Sequence, residues 1–201
     1  MSLLKMKTME NSAKGTIYIV DISGYSNFVK KTAHNDGARI VPDLLNAIIR
    51  ANNLSLRISE IEGDAILFYH FGPAYRVNDI LSQFERMLVA FNQEIKSLEA
   101  RFPQVTRLSI KLVAHYGEIS NFFVGGFYKL YGQTLVEAHR LLKNNIGLNT
   151  YALITEEYTR AQAEWYLDSA KKGTDFCEIY NVGKICYTYY SYAALGSTQC
   201  A

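Results

Sequence analysis

The sequence has only three prolines, one tryptophan and three cysteines in 201 residues. So few prolines leave no Pro-rich linker or recognition tract to divide the chain. The cysteines, Cys177, Cys186 and Cys200, are odd in number, and no two have the two-residue spacing of a zinc knuckle or redox motif. They read as reduced side chains with structural roles. An excess of one charge is missing too. Against 21 basic side chains stand 19 acidic ones, for a net charge of +2, so neither a nucleic-acid-binding nor a membrane-binding face is expected. Anion binding therefore has to be local. No apolar run approaches the roughly 18 residues of a membrane span. The N-terminal MSLLKMKTMENSAKG is interrupted by Lys5, Lys7 and Glu10 and lacks the apolar stretch of a secretory leader. A cytoplasmic location is expected.

What is present is ordinary globular material, 49% hydrophobic and 20% charged, enough for one sizeable core. One domain is expected over 15–195, with a disordered segment 1–14 before it and a tail 196–201 after it. Thr16 to Ile22 is a compact β-branched and aromatic run, punctuated by Asp21-Ile22-Ser23-Gly24, and reads as a buried strand entering a turn. Two helices follow, Tyr25, Phe28 and Val29 marking the first and Ile40 to Ile49 the second, with Asn35-Asp36-Gly37 between them. Leu54, Leu56 and Ile58 alternate with polar residues before Glu62-Gly63-Asp64 and the run Ala65 to Phe71, a β-hairpin with Asp64 at its tip. Ile80 to Leu98 forms an amphipathic helix ending before Pro103. A second hairpin is expected to turn at Tyr116-Gly117-Glu118. Helices over Gln133 to Leu142 and Glu156 to Trp165, and strands over Tyr151 to Ile154 and Ile185 to Tyr192, complete the order β-αα-ββ-α-ββ-α-β-α-β. Antiparallel hairpins between helices favour an α+β, ferredoxin-like sandwich with additional strands and helices over a doubly wound parallel sheet.

Asp21 ends a buried strand, and the amides of Ser23, Gly24 and Tyr25 open the helix after it. Those amides suit an anion while Asp21 suits its cation. Asp64 sits on a hairpin that would lie beside the first strand. Two carboxylates brought together repel unless a divalent cation or a proton sits between them. The plainer alternative is that Asp21 caps the helix and Asp64 satisfies a turn. His115 and His139 have neither metal spacing nor a partner motif and read as packed or interfacial side chains. The tyrosines from Tyr187 to Tyr192 suggest a sheet face or subunit contact.

With these residues in view, the chain resembles the class III adenylate and guanylate cyclase catalytic-domain superfamily. YIVDISGYSNFV resembles its first strand and phosphate loop, and EIEGDAILF its metal hairpin. AHYGEI and LYGQTLVEAHRLL keep the order of its central hairpin and catalytic helix. The resemblance implies two Mg²⁺ or Mn²⁺ ions held by Asp21, Asp64 and the Ile22 carbonyl, with a nucleoside triphosphate on Ser23, Gly24 and Tyr25. It implies a transition-state role for Arg140. Val136 stands four residues earlier, where the family carries asparagine. Glu60 falls at the family's base-selecting position, where glutamate accompanies guanine, and by strand parity with Leu54, Leu56 and Ile58 it points toward a buried face. Lys129 falls at the second base position and matches neither class, so a buried Glu60–Lys129 ion pair is the alternative. Lys184, in VGKICYTYY, resembles the lysine that contacts the polyphosphate. Family sites form between two domains, which implies a homodimer or a cyclase-type heterodimer. SEIEGDAILFYHFG with AHRLLKNN is also similar to a bacterial cyclase-related family of unknown function, whose asparagine position is likewise apolar.

Two function classes follow. One is an active cyclase that converts a purine nucleoside triphosphate to its 3′,5′-cyclic monophosphate. The other is an inactive or repurposed cyclase-homology domain that binds nucleotide or metal as a sensor or interaction module. A structural dimerisation domain with an empty pocket is a third possibility.

Overall fold

Residues 12–162 and 172–192 are described by a computed structural model. Its centre is β1 (Ala13–Ser23), buried from Gly15 to Val20. A strand covered on both faces carries a continuous apolar run, and this one does. After it come α1 (Tyr25–Lys31) and α2 (His34–Arg50), then the hairpin β2 (Arg57–Glu62) and β3 (Ala65–Phe71), then α3 (Val77–Leu98). A 3-10 turn (Pro103–Arg107) leads into β4 (Ser109–Val124), β5 (Phe127–Tyr131) and α4 (Gln133–Leu141). The last elements are β6 (Tyr151–Thr155), α5 (Glu156–Arg160), β7 (Thr174–Tyr180) and β8 (Gly183–Ser191). The sheet order is β2-β3-β1-β4-β6-β8-β7, with β5 on β4. Among the described residues, only the β4–β6 pairing is parallel. The first four strands with their helical connections make the ferredoxin-like core, and the α+β architecture is the one the sequence implied.

The two faces of the sheet differ. On one, Tyr18, Val20, Ile22, Phe68, Ile110 and Leu112 pack under α2, α3 and α5 through Leu44, Ile48, Phe84, Phe91 and Tyr158. On the other, Ile17, Ile19, Leu67 and Ile119 meet α4 through Ala138, and Val113, Tyr151 and Leu153 meet it through Leu141. α4 has nine residues against twenty-two in α3, so this second face is covered more sparsely. Asp21 shares strand parity with Ile17 and Ile19 and so belongs to the α4 face.

Several expectations are corrected. β4 runs straight through Tyr116-Gly117-Glu118, and the turn falls at Gly125-Gly126, both at positive φ. Gly117 is small for another reason: a Cβ there would meet Thr134 Oγ1 at 2.4 Å, so α4 rests on bare backbone. The break between α1 and α2 falls at Thr32 and Ala33, and Asn35, Asp36 and Gly37 lie in the first turn of α2. Leu54 to Leu56 precede β2 and are not part of it. β7 was not anticipated, and it pairs with β8 at the sheet edge. Cys177 and Cys186 face each other in that pairing and form a disulfide, which corrects the reading of both as reduced thiols. Register brought together two cysteines that spacing alone did not connect. β1 begins at Ala13, inside the segment expected to be disordered, while residues 1–11 lie outside the described residues. So do the expected tail with Cys200, and Ala163, Glu164 and Trp165 of the expected final helix.

Candidate functional site

Asp21 is the first polar residue after the buried run of β1, and it faces Ala65 of β3 on one side and Lys111 of β4 on the other. Asp64 occupies the turn between β2 and β3, where Gly63 takes φ +61 and lets the chain reverse. The Ile22 N–H donates to the Asp64 carbonyl at 3.3 Å, which fixes the hairpin tip beside the end of β1. The two carboxylates therefore share one neighbourhood. Their proximity shows in their electrostatics: burial, and then the negative charge of Asp21, push the Asp64 carboxyl up to about 6.

Lys111 completes this group, and sequence reasoning missed it. Its Nζ lies 3.1 Å from Asp21 Oδ2 and also donates to the Leu142 carbonyl at 3.3 Å, at the end of α4. Lysine among Ile110, Leu112 and Ala114 reads as the outward residue of an alternating strand. Only the β1–β4 register reveals that outward here means toward Asp21.

Ser23, Gly24 and Tyr25 follow directly. Gly24 adopts φ +87, and a Cβ there would meet the Arg107 carbonyl at 2.9 Å, so only glycine lets the chain pass so close to the 3-10 turn. Glu60 and Lys129 are brought together as an ion pair. Their side chains are 27% and 45% exposed, so the pair is half open to water. The expected inward aim of Glu60 is corrected: Ile58 is itself 40% exposed, and a register shift between Ile58 and Glu60 breaks the parity on which that aim rested.

Arg140 is exposed near the end of α4, and Val136 on the same side of the helix is 44% exposed. Among the described residues, no hydrogen bond or ion pair joins Arg140, Glu60 or Lys129 to Asp21 or Asp64. Lys184 is exposed on β8, seven positions from Ser191. Ser191 is level with Tyr151 and Lys111, so at the rise of a β-strand Lys184 stands roughly 20 Å along the sheet from Asp21. One chain thus carries the aspartates with Lys111, which reaches the end of α4, the Glu60–Lys129 pair and the outer face of α4 with no hydrogen bond to the aspartates, and Lys184 far along the sheet.

His115 proves to be a packed residue. It is 1% exposed, with Nδ1 2.8 Å from Thr155 Oγ1 and Nε2 2.9 Å from Glu137 Oε2. The hydrogen bond from His115 holds the Glu137 carboxyl below its usual range. Tyr187, Tyr190 and Tyr192 are buried in the sheet and its core.

The donor set at Asp21 and Asp64 fits a hard divalent ion. Two carboxylate oxygens suit Mg²⁺ or Mn²⁺, and the raised Asp64 marks negative charge that Lys111 offsets only in part. No cluster of three or more His, Cys, Asp or Glu occurs among the described residues, so most of an octahedral shell would have to come from ligand oxygens and water.

Comparison with known proteins places the chain. The family described as a protein of unknown function, DUF2652, matches residues 41–151, more than half of the sequence. The chain belongs to the DUF2652 family. The match runs from α2 through the Asp64 hairpin, Lys111 and α4 to the start of β6; Asp21, the Ser23-Gly24-Tyr25 turn and Lys184 lie outside it. An uncharacterised protein of Mycobacterium tuberculosis is 30% identical over 123 residues, and this DUF2652 chain spans 56% of that relative's length. In three dimensions it is similar to the guanylyl cyclase Cya2, with a TM-score of 0.71 at 13% identity, covering 90% of this chain and 93% of the other. The adenylyl cyclase CyaB from P. aeruginosa gives 0.68 at 16% identity, over 90% and 96%. The guanylate cyclase domain of RhGC from Catenaria anguillulae, in complex with GTP, gives 0.63 at 14% identity, over 90% and 98%. The chain therefore has the fold of nucleotidyl cyclase catalytic domains. No helix among its described residues is long and apolar enough to cross a membrane.

Proposed function

We propose that this chain is a cyclase-homology domain that binds a purine nucleoside triphosphate with two Mg²⁺ or Mn²⁺ ions. The observation that carries this reading is the placement of Asp64 beside Asp21: Asp21 is level with Ala65, the Ile22 N–H donates to the Asp64 carbonyl, and the Ser23-Gly24-Tyr25 turn follows. Asp21, Asp64 and the Ile22 carbonyl would hold the ions, and the backbone of Ser23, Gly24 and Tyr25 would meet the phosphates. Metal at such a site neutralises phosphate charge and lowers the pKa of a bound hydroxyl. The triphosphate held by the related Catenaria domain supports the ligand class.

The reaction open to such a domain is attack of the ribose 3′ oxygen on the α-phosphorus. The bond to the β-phosphate breaks, pyrophosphate leaves, and the 3′,5′-cyclic monophosphate forms. Arg140 would stabilise the charge that develops. Glu60 has the acceptor oxygens to read the Watson–Crick edge of guanine, while its pairing with Lys129 tempers that preference. The distance of Lys184 from the aspartates within one chain supports a site completed by a second domain, in a homodimer or with a cyclase-type partner.

A second reading, binding without rapid turnover, rests on Val136. It is exposed and apolar where the helix needs a donor, and loss of one positioned transition-state donor costs on the order of 100- to 1,000-fold in rate. Calorimetric titration with GTP or ATP and Mn²⁺ tests binding: saturable heat that disappears in Asp64→Ala is expected, and no heat with any triphosphate would refute it. Mass spectrometry for cyclic nucleotides, across all four triphosphates, then separates the cyclase from the sensor.

A further inference from the structure

The Lys111 ammonium lies 3.1 Å from Asp21 Oδ2, against the carboxylate that the metal reading needs. Lysine and aspartate face each other in the β1–β4 ladder, and their side chains are only 20% and 18% exposed. Water therefore screens the pair weakly. The same Nζ reaches 3.3 Å to the Leu142 carbonyl, immediately after α4. An ammonium has three donors and no acceptor, so one lysine can serve both oxygens at once. It joins the candidate metal carboxylate to the helix that carries Val136 and Arg140.

We propose that Lys111 is a latch: it holds Asp21 to the end of α4 and keeps divalent metal off the aspartate pair until a triphosphate arrives with it. The inference rests on the metal–triphosphate reading of this site and extends it to the order of binding. A divalent ion on Asp21 would share the carboxylate with an ammonium already within hydrogen-bonding reach, and like charges at that distance repel strongly where water is scarce. A triphosphate brings enough negative charge to offset both cations. The metal then enters as its triphosphate complex, and bare metal enters poorly. Once Asp21 turns to the metal, Lys111 gives up its position and the Leu142 carbonyl loses a donor. Occupancy of the aspartates is thereby felt at the end of α4, whose exposed face carries the residues a partner domain would use.

The test uses the whole chain, with Mn²⁺ alone as the first probe and Mn²⁺ with a nonhydrolysable GTP analogue as the second. Removing the ammonium in Lys111→Met or the milder Lys111→Gln should tighten binding of Mn²⁺ alone by about tenfold or more, whereas Lys111→Arg, which keeps the charge, should behave as the parent. Hydrogen exchange supplies the second readout. Amides over 139–145 should exchange faster in Lys111→Met than in the parent without ligand, and the parent should move the same way when the Mn²⁺ complex binds. Equal Mn²⁺ affinity in parent and Lys111→Met overturns the latch and leaves the site reading intact. A parent that binds bare Mn²⁺ as tightly as the complex overturns the latch whatever the variants do. If parent and variants bind neither Mn²⁺ nor its complex, the site reading falls and the latch falls with it.

Discussion

His115 Nε2 lies 2.9 Å from Glu137 Oε2, tying the buried middle of β4 to the helix that carries Arg140. Glu137 is ionised at neutral pH, as carboxylates are, and the His115 hydrogen bond holds it further below its usual range, so Nε2 carries the proton. On the other side Nδ1 meets Thr155 Oγ1, which also accepts from the Tyr158 N–H and so starts α5. One side chain thus links α4, β4 and α5. His115→Ala strands a buried hydroxyl and a carboxylate, and it should cost about 1–3 kcal/mol for the lost partners, with a cavity adding to that. Urea unfolding measures this. A change under about 0.5 kcal/mol would mean the network does not hold the helix.

Gly117 and Thr134 make a second joint. Thr134 donates to the Glu118 carbonyl at 2.8 Å while resting on the space where a Gly117 side chain would be. Gly117→Ala should destabilise by about 1–3 kcal/mol through overpacking. Adding Thr134→Ser, which removes the crowding methyl but leaves the hydroxyl, should recover little of the loss, because Oγ1 makes the nearest approach. Thr134→Ala should recover more. A double-mutant cycle with no coupling would show that the two residues are not in contact.

How much of this was legible in the sequence depends on whether the signal was local. Asp21 and Asp64 stood out because a strand end and a tight turn are written in adjacent residues, and Gly63 does take the left-handed conformation that such a turn needs. Lys111 and the Cys177–Cys186 pair were not legible, since each depends on which residue lies opposite on another strand. Gly117 read as a turn because a glycine after an alternating run usually marks one; its true cause is a helix packed from 16 or more residues away. β7 left little trace because only Glu178 of its seven residues is buried, and that residue is polar. Glu60 was aimed wrongly by a single irregularity in β2, since parity survives no inserted residue.

Asp64 makes stability depend on pH. Its folded value of about 6 lies above that of a free aspartate near 4, so the folded chain holds a proton there that the unfolded chain has released. That contribution is full below about pH 4 and is lost as pH rises through 6. Asp64→Asn should therefore raise the metal-free melting temperature at pH 7 to 8 relative to the parent, and the gap should close toward pH 4. A difference that stays constant across this range would contradict the assignment.

The Cys177–Cys186 disulfide closes a loop of nine residues' separation at the sheet edge. Chain-entropy arguments give such a loop about 2–3 kcal/mol. Reduction, or paired replacement by serine, should lower the melting temperature by several degrees while Mn²⁺–triphosphate binding persists, weakened only as far as Lys184, two residues from Cys186 on β8, contributes to it, because the aspartates sit on β1 and the β2–β3 turn. Loss of binding on reduction alone would contradict that separation.

The most direct examination of the site is a crystal of the chain with Mn²⁺ and a nonhydrolysable nucleoside triphosphate, read by anomalous scattering. The account predicts manganese within coordinating distance of both Asp21 and Asp64, about 2.0–2.3 Å from their oxygens, with phosphates against the Ser23-Gly24-Tyr25 turn. A well-ordered triphosphate bound elsewhere, or Asp21 still paired to Lys111 with no metal on either aspartate at saturating ligand, would contradict it.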